Sequence, residues 1–174
     1  VQSRQMMKRS TNIAIALLLL LNSCSISYKF SGASIDYNLT KTLQLGHFVN
    51  QAPLVYPPLE ARFNEALKDM FTRNTRLQFV NQNGDMEIEG EIVGYELTPL
   101  AVQEDAFAAE TRLTMNVRMR FRNNKIPGQD KEETISANRT FSSNVNLTDV
   151  QDQLIKELTD EIVDQIFNTT MANW

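Results

Sequence analysis

Positively charged side chains concentrate on one face of a segment in the second half of the chain, where they could bind an anion. They are Arg112, Arg118, Arg120 and Arg122, with Lys125 just beyond them. Side chains two residues apart in a strand share a face and lie roughly 6.6 Å from each other. Guanidinium groups bind phosphate and carboxylate through paired hydrogen bonds. The row therefore predicts contacts to a large anion that carries several phosphates.

An acidic row earlier in the chain offers a second interpretation of these arginines. Glu87, Glu89 and Glu91 alternate with apolar residues in another strand-like segment. Opposite charges that face each other across two strands stabilise a sheet modestly, so the arginines could simply pair with these glutamates. The two interpretations are compatible in part, and the sequence leaves both open.

The sequence lacks the residue sets that are typical of catalytic and metal sites. His47 is its only histidine and Cys24 its only cysteine. It contains no Gly-rich phosphate loop after a strand, and no HExxH, CxxC or GxSxG motif. We therefore predict a protein that is not an enzyme, with no catalytic residues, no metal and no dissociable cofactor.

The cationic row lies on a predicted strand over 111–122, because five apolar residues alternate with its polar ones. These are Leu113, Met115, Val117, Met119 and Phe121. Other strand patterns cover 42–50, with a slip near Gly46, then 76–80, 86–97 and 133–141. An Asn83-Gly84-Asp85 turn precedes the third of these, and its apolar register moves past Val93-Gly94, which predicts a bulge.

Two segments have the apolar spacing of amphipathic helices. The first opens at Pro57-Pro58, where a missing N–H does no harm. The second has a candidate capping box, Thr148 to Gln151, and a long apolar stripe behind it. The order β-α-β-β-β-β-α predicts an α+β fold with two helices packed on one face of a mostly antiparallel or mixed sheet of four or more strands. We assign 41–174 to this single domain.

The first 23 residues have the three zones of a signal peptide. Lys8 and Arg9 precede the apolar run 13–21, which is too short to span a bilayer, and Leu21-Asn22-Ser23-Cys24 resembles a lipobox. We predict cleavage before Cys24, a diacylglycerol and a fatty acyl chain such as palmitate on that cysteine, and a lipidated tether over 24–40 that includes a first strand. Ser25 rather than Asp after Cys24 favours the outer membrane, and the lack of an acidic run there favours a position facing the periplasm.

The net charge of the predicted mature chain argues against nucleic acid as a partner. Without Arg4, Lys8 and Arg9, 14 of the 17 basic residues remain against 21 acidic ones, a net charge of −7. Nucleic-acid binding requires a basic field, so we expect no nucleic-acid partner.

Several segments together resemble a known family. They are the lipobox followed by 28–35, then 92–99, 110–117, Arg120-Phe121, 139–142 and the ending 166–174. The ordered set resembles LptE-type lipopolysaccharide-assembly lipoproteins of the outer membrane. The resemblance implies a non-enzymatic α+β domain that plugs a large LptD-type β-barrel, and a pair that delivers lipopolysaccharide to the cell surface. The alternative is a free-standing periplasmic lipoprotein that binds the phosphates of lipid A through its arginines.

Overall fold

The computed structural model describes residues 35–54, 56–100 and 109–171. Cys24, the predicted signal peptide over 1–23 and most of the predicted tether lie outside the described residues. The described residues belong to one compact unit. Neither of the two helices within them is long and apolar enough to cross a membrane.

Eight elements follow one another in the described part of the chain. They are β1 (Thr42–Leu45), β2 (Val49–Asn50), α1 (Leu59–Asn74), β3 (Gln78–Val80), β4 (Met86–Pro99), β5 (Glu110–Asn123), β6 (Lys131–Ser142) and α2 (Leu147–Met171). The order is the predicted one, except that the predicted strand over 42–50 is broken at 46–48 into β1 and β2, where its alternation slips.

The strands form one mixed sheet in the order β3-β1-β4-β5-β6, with β2 paired to β4. The short strands are parallel: β1 runs parallel to both β3 and β4, and β2 runs parallel to β4. The crossover helix α1 lies between β2 and β3, and such a crossover allows neighbouring strands to be parallel. The long strands β4, β5 and β6 are antiparallel. The predicted α+β fold with a mixed sheet is confirmed.

Both helices cover the apolar face of the sheet. The buried stripe of α1 is Leu59, Phe63, Leu67 and Phe71, and the five apolar residues of β5 are buried beneath the helices. The rings of Phe71 and Phe167 meet edge to face with centroids 5.2 Å apart, which joins α1 to α2. The predicted capping box is wrong, because α2 begins at Leu147 and Thr148 lies within its first turn.

Two irregularities of β4 affect the sheet, one in its register and one on its apolar face. The predicted bulge is present between Ile92 and Gly94. At Gly90 an added Cβ would lie 2.3 Å from the carbonyl oxygen of Arg118 and 2.4 Å from Cε1 of Phe48. The missing side chain at Gly90 therefore lets the Phe48 ring pack directly beneath the centre of the sheet.

Candidate functional site

Arginines and glutamates alternate across the exposed face of the sheet, and we call this set the charge ladder. The antiparallel register places Arg122 opposite Glu87, Arg120 opposite Glu89, and Arg118 opposite Glu91. The Nη1 atoms of Arg118 and Arg120 lie 2.6 Å and 2.7 Å from the Oε1 atoms of their glutamates. Arg122 Nη1 lies 3.3 Å from Glu87 Oε2. The predicted cross-strand pairing is confirmed for these three arginines.

The ladder extends onto β6 through one residue. Arg120 Nε lies 3.5 Å from Glu132 Oε2, so Arg120 lies between two carboxylates. The hydrogen bond to Glu89, followed by the charge of Glu132, raises the pKa of the Arg120 guanidinium above its ordinary value. Half of each arginine side chain in the ladder remains exposed. Exposed pairs of this kind each add little stability, but together they leave this face polar and nearly neutral.

Lys125 lies outside the charge ladder. It follows β5 and contacts Asp85 in the turn before β4. Its Nζ lies 3.1 Å from Asp85 Oδ1, while Asp85 Oδ2 accepts hydrogen bonds from the backbone N–H groups of Lys41 at 2.8 Å and Thr42 at 3.0 Å. The backbone bond from Lys41 is the main cause that lowers the pKa of Asp85 to about 2. Asp85 therefore ties the turn to the start of β1, and Lys125 helps to keep it ionised.

Arg112 differs from the other predicted anion contacts. It lies on the exposed face opposite Thr98 on β4 and Thr140 on β6. Within the described ranges it forms none of the ion pairs that hold the other four cations. Among the described residues, Arg112 is therefore the cation of this set that has no ion pair with a carboxylate.

His47 has a structural contact beside the ladder. Its Nε2 lies 2.7 Å from Glu60 Oε1, and the N–H of Asn50 donates to Glu60 Oε2 at 2.9 Å. The Asn50 bond first, and the His47 bond second, lower the pKa of Glu60. Glu60 lies on α1, and Asn64 of that helix forms hydrogen bonds with both the N–H and the carbonyl of Phe48. These contacts attach the first turns of α1 to the break between β1 and β2.

The sequence did not predict the contacts of Arg139. It lies on β6, and its Nε and Nη1 lie 3.0 Å and 2.6 Å from the carboxylates of Glu157 and Glu161 on α2. The one available signal is that the two glutamates are four residues apart and so share a helix face. Among the described residues, no group of His, Cys, Asp and Glu side chains is placed to hold a metal ion.

Solved structures of three lipoproteins are similar to this chain. A minor lipoprotein from Acinetobacter baumannii is 23% identical with a TM-score of 0.48, over 77% of this chain and 92% of that one. A rare lipoprotein B from Shewanella oneidensis is 16% identical with a TM-score of 0.48, over 72% and 92%. An uncharacterized lipoprotein B from Nitrosomonas europaea is 18% identical with a TM-score of 0.45, over 76% and 83%.

The chain was also compared with curated protein sequences and with family profiles, and the family profiles identify its family. No curated protein sequence matches the chain. The profile of the LptE family, described as lipopolysaccharide-assembly, matches residues 40–170, which include all the strands of the described structure and nearly all of its second helix. The resemblance that the sequence motifs indicate is thus confirmed, and the chain belongs to the LptE family of lipopolysaccharide-assembly proteins.

Proposed function

We propose that this chain is a non-enzymatic component of the outer-membrane translocon that carries lipopolysaccharide to the cell surface, where it plugs a large LptD-type β-barrel. The family match over 40–170 is the observation that carries the proposal, because it covers the folded domain rather than a single motif. Lipopolysaccharide assembly is the family's described role, and the barrel partnership is our extension of it to this chain.

The exposed face of the sheet supports a place inside a barrel. The interior of a large outer-membrane barrel is polar and wet. The charge ladder gives this domain a broad polar face whose charges are already paired. Such a face can lie against a wet wall without leaving a buried charge unpaired.

Acylation of Cys24 supplies the tether in this proposal. Two or more acyl chains give stable membrane anchoring where one is marginal. Attachment to the membrane that holds the barrel raises the effective concentration of each partner for the other. The domain would then face the periplasm from the outer membrane.

Phosphates of lipid A are the anions that the exposed cations would contact. A guanidinium has five N–H donors, so an arginine that bonds to one glutamate can still donate to a phosphate. Arg112 is the best candidate, because its charge is not balanced by a carboxylate in the described structure. Arg118, Arg120, Arg122 and Lys125 are secondary candidates that would share their donors between an acid and the lipid.

Affinity purification tests the barrel partnership. The full chain with a C-terminal tag, isolated from detergent-solubilised outer membranes, should recover a large β-barrel protein. A Cys24→Ala variant keeps the folded domain and removes the acyl site, so it should recover much less of that barrel. Recovery of the tagged lipoprotein alone, at comparable expression, would contradict the proposal.

A photo-crosslinking side chain locates the face that meets the barrel. We expect adducts with a large protein when the crosslinker replaces Thr134 or Ser136, which are exposed on β6. Ala61 and Lys68 are exposed on α1 and provide matched control positions. Adducts from the α1 positions alone would contradict the placement of the sheet against the barrel wall.

A free-standing lipid A binding lipoprotein is the second candidate, and the unbalanced charge of Arg112 is the observation that favours it. The full chain should then bind lipid A vesicles without any barrel. Arg112→Gln should weaken that binding more than Arg122→Gln, because Arg122 is already paired with Glu87. Equal binding by both variants and the unchanged chain would exclude this candidate.

A further inference from the structure

A groove runs along the solvent side of the two helices, away from the charge ladder. It comprises two adjoining cavities of about 610 Å³ and 480 Å³, which share Ala66, Asp69, Lys156 and Asp160. The small side chains of Ala66 and Thr159 keep the helices from filling this space. The groove therefore comes from the helix pair itself, which the described structure leaves uncovered on this side.

The walls of the groove carry more negative than positive charge. Six carboxylates line it, against three cations. The cations already pair with three of the six: Arg62 with Asp152, Arg73 with Asp69, and Lys156 with Asp160. Glu65, Asp149 and Asp164 form no ion pair in the described structure. The groove thus has three acidic charges that are not balanced by its own cations.

One residue of the groove leaves a polar atom without a partner. Thr159 lines the larger cavity and is 3% exposed, and its Oγ1 is a buried atom with no hydrogen-bond partner among the described residues. Leaving a buried hydroxyl unbonded costs free energy that a donor from a ligand could recover. By contrast, Thr170 on the same helix donates from its Oγ1 to the carbonyl of Ile166 at 2.8 Å.

The environment of Asp164, one of the acidic residues of the groove, disfavours its ionised form. Burial, followed by the neighbouring charge of Asp160, raises the pKa of Asp164. A cation placed beside Asp164 and Asp160 would offset the repulsion between the two carboxylates and favour the ionised form of Asp164. The raised pKa of Asp164 and the carboxylates of the groove that are unpaired in the described structure both favour a positively charged ligand.

From this arrangement we propose that the groove between α1 and α2 binds an extended, basic segment of a partner protein, whose Lys or Arg side chains enter between the acidic walls. Aliphatic stems of such side chains suit the small apolar floor, and their charged ends reach the carboxylates. A docking helix fits less well, because Ile155 and Val163 at the floor are already buried and offer no apolar stripe. The inference does not depend on the barrel proposal.

The dimensions of the groove set the length of the segment. Its lining residues on α2 run from Asp149 to Asp164, which is about 22 Å of helix at the usual rise. An extended peptide covers that distance with about seven residues. Because alternate side chains of an extended peptide point the same way, a basic residue at every second position should suffice.

A labelled peptide tests the inference directly. The probe is a fluorescent octapeptide of alternating Lys and Ala, with an octapeptide of alternating Gln and Ala as its neutral match. The full chain in detergent should bind the basic peptide in an anisotropy titration and should not bind the neutral one. The triple variant Glu65→Gln, Asp149→Asn, Asp164→Asn should bind it roughly tenfold more weakly, since each exposed charge contributes a fraction of that factor.

A control variant separates the groove from net charge. Glu96→Gln, Glu110→Gln, Glu133→Gln removes the same charge from exposed strand positions outside the groove. It should keep most of the peptide affinity. Thr159→Val should weaken binding while the fold stays intact. An equal loss of peptide affinity in the two triple variants, or no peptide binding by the unchanged chain, would overturn the inference. Neither result would affect the test of the barrel partnership, which measures recovery of a barrel protein.

Discussion

Arg120 on β5 lies directly opposite Glu89 on β4, and its Nη1 donates to Glu89 Oε1 at 2.7 Å. Its Nε lies 3.5 Å from Glu132 on the other side, so one guanidinium bridges three strands. Replacing this guanidinium changes the electrostatics of the whole exposed face and not of one pair alone.

Charge reversal at Arg120 should therefore lower thermal stability. Arg120→Glu places three carboxylates side by side, and like charges directly opposite each other destabilise a sheet. The double variant Arg120→Glu, Glu89→Arg restores one opposite pair and should recover part of the loss. We expect a lower Tm for the single variant, a smaller drop for the double, and convergence of the two in high salt because salt screens exposed charges. Equal Tm values in low salt would contradict the bridging role.

Asp85 should make the domain sensitive to acid. Its folded pKa of about 2 lies below the ordinary value of 3.8. Its ionised form therefore stabilises the fold above about pH 4, and this contribution is lost as the pH falls towards 2. At neutral pH Asp85→Asn should lower the free energy of unfolding by about 1 to 2 kcal/mol, after allowance for screening by solvent.

Denaturant unfolding at several pH values checks the Asp85 prediction. The stability of the unchanged chain should fall more steeply between pH 4 and pH 2 than that of Asp85→Asn. Glu96→Gln is a suitable control, because Glu96 is exposed and lies far along β4 from the turn. A parallel pH dependence in the unchanged chain and Asp85→Asn would refute the assignment.

The two buried threonines of α2 should respond differently to replacement by valine. Thr159→Val removes an unbonded buried hydroxyl with little change of shape and should stabilise the domain by about 1 kcal/mol. Thr170→Val removes a hydroxyl that bonds to the carbonyl of Ile166 and should be neutral or destabilising. Denaturant midpoints with unchanged m-values measure both effects. A loss of stability in Thr159→Val would show that its hydroxyl has a partner in solution.

Gly90 should tolerate no side chain. Gly90→Ala would drive a methyl group into the Arg118 carbonyl at 2.3 Å and the Phe48 ring at 2.4 Å. Overpacking of this kind costs about 1 to 3 kcal/mol. At Gly128 nothing lies within 4 Å of an added Cβ, so Gly128→Ala should suffer only from its positive φ of 83°. Thermal unfolding should therefore rank Gly90→Ala as the less stable variant.

The local sequence pattern was sufficient to predict the long strands and the charged residues that form the ladder. Alternation in 111–122 defined β5 closely, and β4 comes directly before β5 in the chain, as the first strand of a hairpin does. Once two strands pair, rows of opposite charge on one face can meet, so the Glu–Arg contacts were one of the two interpretations that the sequence allowed. The slip near Gly46 and the bulge near Gly94 were visible because each breaks the two-residue period.

Contacts between residues far apart in the chain were not predictable in the same way. Arg139 reaches Glu157 and Glu161 only because β6 lies at the edge of the sheet beside α2. The parallel direction of β1 depends on the crossover through α1, which short strand patterns do not specify. The helix stripes identified the buried sides of α1 and α2, but they carried no information on the gap at Ala66 and Thr159.

The bulge between Ile92 and Gly94 has a consequence for how the exposed face can respond to a partner. The extra residue shifts the pairing, so that Arg112 faces Thr98 and Glu96 faces Thr114 beyond it. On one side of the bulge the charges are matched pair by pair across the strands. On the other side Glu96, Glu110 and Arg112 are each free of such matching in the described structure. A single backbone insertion thus divides one sheet face into a half whose charges already have partners within the domain and a half whose charges are left for an outside partner.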